Sequence, residues 1–321
     1  MSLTSAPPAG PAFRLPSPRA MLPPASLALI IVAIGFVQPN AISYFGFNLM
    51  LNLALPIAFA TMAQLCVITV NDLDLSIGSF VSFVACIAAT LLKQDPLVGI
   101  AVLIGCIAVY GLVGALVHLR NLPSIVVTLG MSFFWLGAAV MVLPQPGGSA
   151  PDWLKLMMKL KTPVIPFAIL MGIVLAVVVH FGLMRSAAGA VLRGTGGNPA
   201  AIARAGWSLL KAKVTMFALA GFFGVLSGLS LVGLTTSADA NIALRYTLLS
   251  IAGVILGGGE FVGGRVSPIG AVIGAMTLTL AGSLLSFLRI SPDWQIGAQG
   301  AILIIVLALR AVANRMEGAR K

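Results

Sequence analysis

The chain is built from a series of apolar runs, most of them about as long as a helix needs to cross a bilayer. Hydrophobic residues make up 59% of its 321 residues and charged residues only 8%, whereas soluble domains carry about a quarter charged residues. A surface of this composition could not stay solvated, and about twenty apolar residues cross the hydrocarbon core as a helix. The alternating pattern of a membrane β-barrel is absent. The sequence therefore predicts an all-α integral membrane protein.

Ten membrane helices are predicted, with two polar interruptions among them. The polar stretch 71–79 separates the second run from the third, and the eighth run, too short to cross alone, enters the glycine-rich turn 257–265. Paired interruptions of this kind, within a faint internal repeat, point to a transport pathway between the repeats. The predicted spans are 27–44, 47–70, 80–92, 97–119, 124–143, 163–184, 214–235, 246–256, 266–288 and 294–309.

The chain ends and the charges complete the predicted organisation. Residues 1–26, rich in Pro, Ala and Ser, are expected to be a disordered cytoplasmic tail, 27–310 the transmembrane domain and 311–321 a basic cytoplasmic tail.

With the N-terminus inside, thirteen of the 19 Lys and Arg residues fall on the cytoplasmic side and six outside, as the positive-inside rule requires. Orientation and anionic lipid explain the net charge of +11, and no nucleic acid partner is predicted. The six outside residues include Lys155, Lys159, Lys161 and Arg245.

The longest basic gap, 185–213, holds five basic residues and no acidic one. Its glycines at 194, 196 and 197 are expected to form a flexible turn, after which Asn198 caps a short helix with Pro199 at its first position. This alanine-rich helix would lie outside the bilayer, so we expect another subunit to dock on it.

Two acidic residues, Asp72 and Asp74, follow an apolar run. Acids inside a membrane are costly and usually mark function, so this pair could contact a substrate or ion, relay protons, or hold Mg²⁺ on a diphosphate. Alternatively, both lie at the cytoplasmic interface and cap the third helix, with Asp74 as its N-cap. Metal-assisted chemistry would need a second acidic group, for which Glu260 is the candidate.

Polar side chains within the apolar runs are candidates for a water-filled path. Amides can hydrogen-bond a neutral polyhydroxylated solute without charge, although contacts between helices use the same residues. Asn241 and Gln299 belong to this group. The predicted translocation path and gate are Asn48, Asn52, Gln64, Asn71, Asp72, Asp74, Ser76 and Glu260.

The glycines at 259 and 264 have the spacing of a phosphate loop, but Arg265 and Val266 stand where Lys and Ser or Thr are required. The chain is therefore not expected to bind ATP. Instead, the glycine pairs 224/228, 253/257 and 270/274 are expected to let helices approach closely. No catalytic group, metal site or cofactor is predicted. The three cysteines are expected to be buried and free of disulfides.

Three stretches carry a resemblance when taken in order: DLDLSIGS at 72–79, GGNPAAIARAG at 196–206, and the glycine-rich turn from 256 with its continuation to 274. Together they resemble the permease subunits of bacterial ABC importers for ribose and other simple sugars, over about residues 48–310. One departure is Asn71-Asp72, where such permeases usually carry two small residues, often glycines.

The resemblance implies a ten-helix permease of the bacterial inner membrane, working as a pair, with both termini cytoplasmic. It implies import of a simple sugar or similar solute, powered by a cytoplasmic ATPase that seats 196–206 in a cleft and fed by a periplasmic binding protein. The docking segment that the resemblance implies comprises Gly196, Gly197, Asn198, Pro199, Ala200, Ala201, Ala205 and Gly206. Two rival hypotheses remain open. One is a membrane-embedded Mg²⁺-dependent prenyl or acyl transferase using Asp72 and Asp74, and the other is a secondary transporter driven by protons or Na⁺.

Overall fold

The computed structural model describes residues 18–160 and 162–291, together with positions 294, 297, 300, 301, 304 and 308. Within this part the chain is α-helical, and its strand-like feature is an isolated bridge between Gly147 and Ala238. The predicted all-α class is confirmed. The helices are α1 (Pro18–Val37), α2 (Tyr44–Met50), α3 (Ala54–Thr69), α4 (Ile77–Ala89), α5 (Leu91–Gln94), α6 (Pro96–Leu119), α7 (Ser124–Val142), α8 (Asp152–Met158), α9 (Phe167–His180), α10 (Ala187–Gly197), α11 (Pro199–Arg204), α12 (Leu209–Thr235), α13 (Tyr246–Leu256) and α14 (Pro268–Phe287).

Six helices in the described residues are long and apolar enough to cross a bilayer, or seven if α2 and α3, which meet at 48°, count as one bent span. The structure thus shows fewer membrane-length helices in this part of the chain than the nine spans predicted there, and it does not support the total of ten. The first and eighth predicted spans are present as shorter apolar helices, the apolar part of α1 (Met21–Val37) and α13. Since α1 begins at Pro18, the first helix starts earlier than expected. The predicted tenth span, 294–309, and the tail 311–321 lie outside the continuously described residues.

Helices α3 and α12 form the centre of the bundle. All but one of the 16 residues of α3 are buried, and α12 packs along α3, α4 and α6. Close packing depends on glycines: a Cβ on Gly224 would lie 2.6 Å from Phe80, and one on Gly228 would lie 2.5 Å from Val84. The expected role of this glycine pair in helix packing is confirmed.

The length of α12 provides a scale for depth in the membrane. Its 27 residues extend about 40 Å at 1.5 Å per residue, compared with about 30 Å of hydrocarbon. Lys213 lies near the N-terminal end of α12 and Gly224 lies near its middle. Just past the C-terminal end, the carbonyl of Thr236 accepts a 2.9 Å hydrogen bond from the N–H of Ala150. Because Ile77 contacts the site of Gly224, α4 begins near the middle of the membrane.

The two ends of the bundle differ in composition. We call the end that contains Lys213 the basic face; segments 69–72, 193–197 and 263–265 meet there. The other end, the opposite face, contains segments 89–95, 147–155 and 235–238.

At the opposite face, Lys93 and Lys155 lie 3.8 and 2.8 Å from Asp152. The hydrogen bond and charge of Lys155 hold the pKa of the Asp152 carboxyl below its ordinary value, so part of the basic cluster at 155–161 is neutralised locally.

Helices α13 and α14 pack backbone against backbone. A Cβ on Gly270 would lie 1.9 Å from the carbonyl oxygen of Gly257, and one on Gly274 would lie 2.2 Å from that of Gly253. Only residues without side chains permit this approach, as expected for two small-residue pairs on facing helices.

The stretch 236–245, before α13, enters the bundle from the opposite face without forming a helix. Ala238 pairs with Gly147 at the opposite face, whereas the side chain of Thr247 accepts a 3.0 Å hydrogen bond from the N–H of Gly78, at the start of α4. Arg245 therefore lies near the middle of the membrane. This corrects the expectation that Arg245 belongs to the outer surface.

Candidate functional site

The predicted docking helix is present. The side chain of Asn198 accepts a 3.0 Å hydrogen bond from the N–H of Ala201, Pro199 is the first helical residue, and α11 ends at Arg204. None of its residues is buried. A helix of six residues with this largely alanine composition and no buried residue gains little from its own packing.

The segment preceding this helix differs from the prediction. Residues 194–197 form the last turn of α10 rather than a flexible turn. The reason is close packing: a Cβ on Gly196 would lie 2.2 Å from the carbonyl oxygen of Thr69, and one on Gly264 would lie 2.2 Å from that of Arg193. Gly264 also has φ of +63°, a conformation that favours glycine. Three backbones, those of α10, the end of α3 and the glycine turn, thus meet without side chains between them.

A cleft of about 1160 Å³ opens beside this contact. Ala201 and Ile202 of the docking helix line it, together with the glycine turn and the start of α14. Glu260 also lines it and lies 3.7 Å from Arg265 as an ion pair. The structure therefore places Glu260 on the basic face beside the docking segment.

Asp72 and Asp74 have different surroundings. Asp72 Oδ2 lies 2.7 Å from Lys213 Nζ on the basic face, and both side chains are largely buried. Asp74 is 1% exposed and lies deeper: its Oδ1 accepts hydrogen bonds from the N–H and hydroxyl of Ser76 (2.7 and 2.6 Å), and its Oδ2 accepts one from Tyr110 (3.0 Å). The two carboxyl groups are thus committed to separate partners.

Asp74 is not the N-cap of the third predicted helix. The N-cap of α4 is Ser76, which makes no side-chain capping bond; Asp74 instead binds the N–H of that residue. Nor does Asp74 lie at the interface, because its partner Tyr110 packs on Gly221, close to the middle of α12. The hypothesis that both acids cap the helix at the cytoplasmic surface is therefore wrong for Asp74.

A polar side chain from α3, that of Gln64, also contacts Asp74. Gln64, fully buried, donates to the Asp74 carbonyl at 3.0 Å and accepts from its N–H at 3.2 Å when its amide is oriented to match them. We call Gln64, Asp74, Ser76 and Tyr110 the buried network. It satisfies polar groups of the backbone between α3 and α4, which water could not reach at this depth.

The eight predicted path residues lie in three separate places. Asn48 and Asn52 line a cleft of about 550 Å³ on the opposite face, near Lys159. Three others belong to the buried network, and each is at most 2% exposed. The remaining three are on the basic face, where Asn71 is exposed at the end of α3 with φ of 63°. The opposite-face pair is Asn48 and Asn52, the buried residues are Gln64, Asp74 and Ser76, and the basic-face residues are Asn71, Asp72 and Glu260.

This arrangement bears on the metal-dependent hypothesis. In the described residues, no group of three or more His, Cys, Asp and Glu side chains could hold a metal ion. Asp72 pairs with a lysine, and Asp74 accepts three hydrogen bonds from two hydroxyl groups and one backbone N–H. Their positions suit a structural role at the break between two helices.

Sequence reasoning missed two partners, Tyr110 and Lys213. A signal existed for Tyr110, because it is one of three tyrosines in the chain and lies inside an apolar run; buried tyrosine hydroxyls usually find a hydrogen-bond partner. Lys213 was assigned to the basic gap, but its pairing with Asp72 depends on a contact between residues 141 positions apart, which no local pattern reveals.

Comparison with known proteins gives consistent matches over most of the chain. The family model described as branched-chain amino acid transport system / permease component matches residues 45–307. The chain is 29% identical to the probable ABC transporter permease protein YphD of Escherichia coli (strain K12), covering 91% of each protein. It is 27% identical to the ribose import permease protein RbsC of Haemophilus influenzae, covering 92% of this chain and 93% of the relative. It is 25% identical to the fructose import permease protein FrcC of Rhizobium meliloti, covering 89% and 85%. No solved structure matches the chain.

Proposed function

The chain belongs to the family described as branched-chain amino acid transport system / permease component, and from that premise we propose that it is the membrane permease of an ATP-binding-cassette (ABC) importer for a simple sugar or a similar small polyhydroxylated solute. Membership makes it a multi-pass membrane component of a transport system and not an enzyme. The transferase and ion-driven hypotheses gain no support from relatives that are named as ABC or sugar import permeases.

The observation that carries this proposal is the exposed, capped helix α11 together with the preceding turn of α10, in which Gly196 contacts the end of α3. The sequence has no phosphate loop of its own, so energy has to enter through another subunit. A partner that moves α11 would push directly on Thr69 through Gly196, where no side chain absorbs the displacement. The break between α3 and α4, with the buried network, begins immediately after Thr69.

The partners follow from this role. We propose that a cytoplasmic ATPase binds the docking segment 196–206, that a periplasmic binding protein delivers the solute at the opposite face, and that two copies of this chain form the membrane unit. The cleft beside α11, about 1160 Å³ in volume, gives an ATPase element room next to Ala201.

We also propose that the basic face is cytoplasmic, which places the chain in the bacterial inner membrane with both termini inside. The cations of segment 185–213 support this orientation through the positive-inside rule. Reporter fusions at each terminus test it: fluorescent protein should fluoresce at both ends, and alkaline phosphatase should be inactive at both. Active phosphatase at either end would contradict the orientation.

Substrate class admits a second candidate, because the family takes its description from branched-chain amino acid transport. The import permeases named above carry ribose and fructose in their names, which favours a sugar. Uptake of labelled ribose and, separately, of labelled leucine by cells expressing the chain with its partners, each in competition with unlabelled fructose and galactose, distinguishes the two. Uptake of leucine without uptake of ribose would show that the substrate is an amino acid and not a sugar.

A single substitution tests the coupling itself. Ala201→Glu places an acidic side chain on the docking helix, where burial against a partner would leave the charge unpaired at a cost of several kcal/mol, enough to lower substrate-stimulated ATP hydrolysis about tenfold or more. Ala188→Glu is the matched control, since Ala188 is exposed in the same basic segment but outside the docking segment. Equal hydrolysis and uptake in both variants, at equal amounts in the membrane, would contradict the proposal.

A further inference from the structure

Arg245 occupies an unusual position for a charged residue. The N–H of Gly78 donates to the Thr247 side chain at 3.0 Å, and a Cβ on Gly78 would lie 2.6 Å from the carbonyl oxygen of Leu244. Gly78 follows Ile77, which contacts the site of Gly224 at the middle of α12. Arg245 is therefore near the middle of the membrane, and it is exposed on the surface of the chain.

The guanidinium has no carboxylate partner among the described ion pairs. The two acids of the polar break have other partners, Asp72 pairing with Lys213 and Asp74 with Ser76 and Tyr110. An arginine at this depth cannot face hydrocarbon at low cost, and such residues normally face a bundle interior or a water-filled cavity.

The backbone leading to Arg245 supports the same conclusion independently. Residues 236–245 descend from the opposite face to the membrane middle as turns with isolated i→i+3 hydrogen bonds, not as a continuous helix. Non-helical backbone at membrane depth occurs only where it is buried in protein or lines a water-filled cavity. Ser237, Asn241 and Arg245 are exposed along this descent, and Asp239 is partly exposed.

We propose that this descending segment forms the solute path between the opposite face and the membrane middle, with Asn241 and Arg245 as solute-contacting residues. The inference rests on the proposed transport function and adds Arg245, which the sequence did not indicate as a path residue, to Asn241, which it did. Arg245 would donate hydrogen bonds to solute oxygen atoms from its five N–H groups, and Asn241 would supply both a donor and an acceptor. The ligand chemistry is thus an oxygen-rich solute whose hydroxyl or carboxylate oxygens accept from a guanidinium.

Water access tests the path without requiring any partner subunit. In full-length chain with Cys66, Cys86 and Cys106 changed to Ala, a single cysteine is placed at Asn241, Arg245 or Ile104. Ile104 is the matched control, because it is 62% exposed and lies on α6 one turn from Ile107, which packs on Gly221. A charged, membrane-impermeant methanethiosulfonate should modify the cysteines at 241 and 245 about tenfold faster than the one at 104, which faces lipid.

Two results would overturn the path. One is Arg245→Cys reacting as slowly as Ile104→Cys in membranes containing equal amounts of chain. The other is that the cysteine at 245 resists modification and forms a disulfide between two chains. That result would show that the surface around residue 245 is a contact between two copies of the chain. Rapid labelling in a chain that transports neither sugar nor amino acid would support the path and contradict the proposed function, so the two failures are distinguishable.

Uptake kinetics test the contact with solute. Arg245→Gln should raise the KM for uptake of ribose or ribonate about tenfold, the loss expected for one charge-assisted hydrogen bond of about 1.4 kcal/mol, with the amount in the membrane unchanged. Arg245→Lys should reverse part of this increase in KM. A larger effect on ribonate than on ribose identifies a carboxylate as the acceptor, whereas an equal effect identifies hydroxyl groups; an unchanged KM for both would overturn the assignment of Arg245.

Discussion

Lys213 and Asp72 join two distant parts of the chain through an ion pair of 2.7 Å between Nζ and Oδ2, with side chains 19% and 9% exposed. This contact fixes the beginning of α12 to the polar break that follows α3. Because α12 also packs on α4 and α6, the pair links the docking end of the molecule to the centre of its bundle.

Removing one partner of this pair should be more harmful than removing both. Lys213→Ala leaves the Asp72 carboxylate largely buried without a counter-charge, at a cost of about 3 kcal/mol in the free energy of unfolding. Adding Asp72→Asn to that variant should recover much of the loss. Denaturant unfolding of the purified chain in detergent, arranged as a double-mutant cycle, measures the coupling. Strictly additive effects would show that the contact contributes nothing.

The buried network should depend on the hydroxyl of Tyr110. Tyr110→Phe removes a donor to Asp74 and should lower the free energy of unfolding by about 1.5–3 kcal/mol, the range for hydrogen bonds to a charged group. Tyr246→Phe is the control, because Tyr246 is also buried, at 1% exposure, but does not join the network. If both variants lose the same stability, the hydrogen bond between Tyr110 and Asp74 does not stabilise the non-helical stretch between α3 and α4.

How far the sequence predicted this structure depends on whether a feature is local. The start of α11 was predictable because an Asn cap and a Pro at the first position act within one turn. The close contact of α13 and α14 was also predictable, since small residues four apart form a flat helix surface. Both features are present.

The depth of Asp74 and the place of Arg245 were not predictable, because each depends on contacts across the fold. Tyr110 is 36 residues from Asp74, and Thr247 is 169 from Gly78. The 11 residues of α13 extend only about 16 Å, so the sequence correctly indicated that this helix is too short to cross alone, but hydropathy could not show what completes the crossing. The non-helical stretch before α13 supplies the rest of that crossing.

The packing of α14 on α13 can be tested with a single methyl group. Gly270→Ala places a Cβ 1.9 Å from the carbonyl oxygen of Gly257, so the helices must separate, at a cost of roughly 1–3 kcal/mol or more in the free energy of unfolding. Gly130 lies on α7, and a Cβ there would have no atom within 4 Å. Gly130→Ala should therefore leave the free energy of unfolding unchanged or raise it by up to about 1 kcal/mol, because alanine has the higher helix propensity. Thermal unfolding in detergent compares the two; equal stability would contradict the backbone contact.

The contact between Gly196 and Thr69 should transmit motion from the docking helix to the centre of the bundle. In Gly196→Ala the new Cβ would lie 2.2 Å from the Thr69 carbonyl oxygen, so α10 must move away from the end of α3 and α11 must move with it. We expect solute uptake to fall about tenfold, because displacements near 1 Å change coupled steps by such factors, while the amount in the membrane stays close to that of the unmodified chain. Gly105→Ala, with no atom within 4 Å, is the control and should transport normally. Uptake by Gly196→Ala equal to that of the control would show that the ATPase acts on the bundle through some other contact.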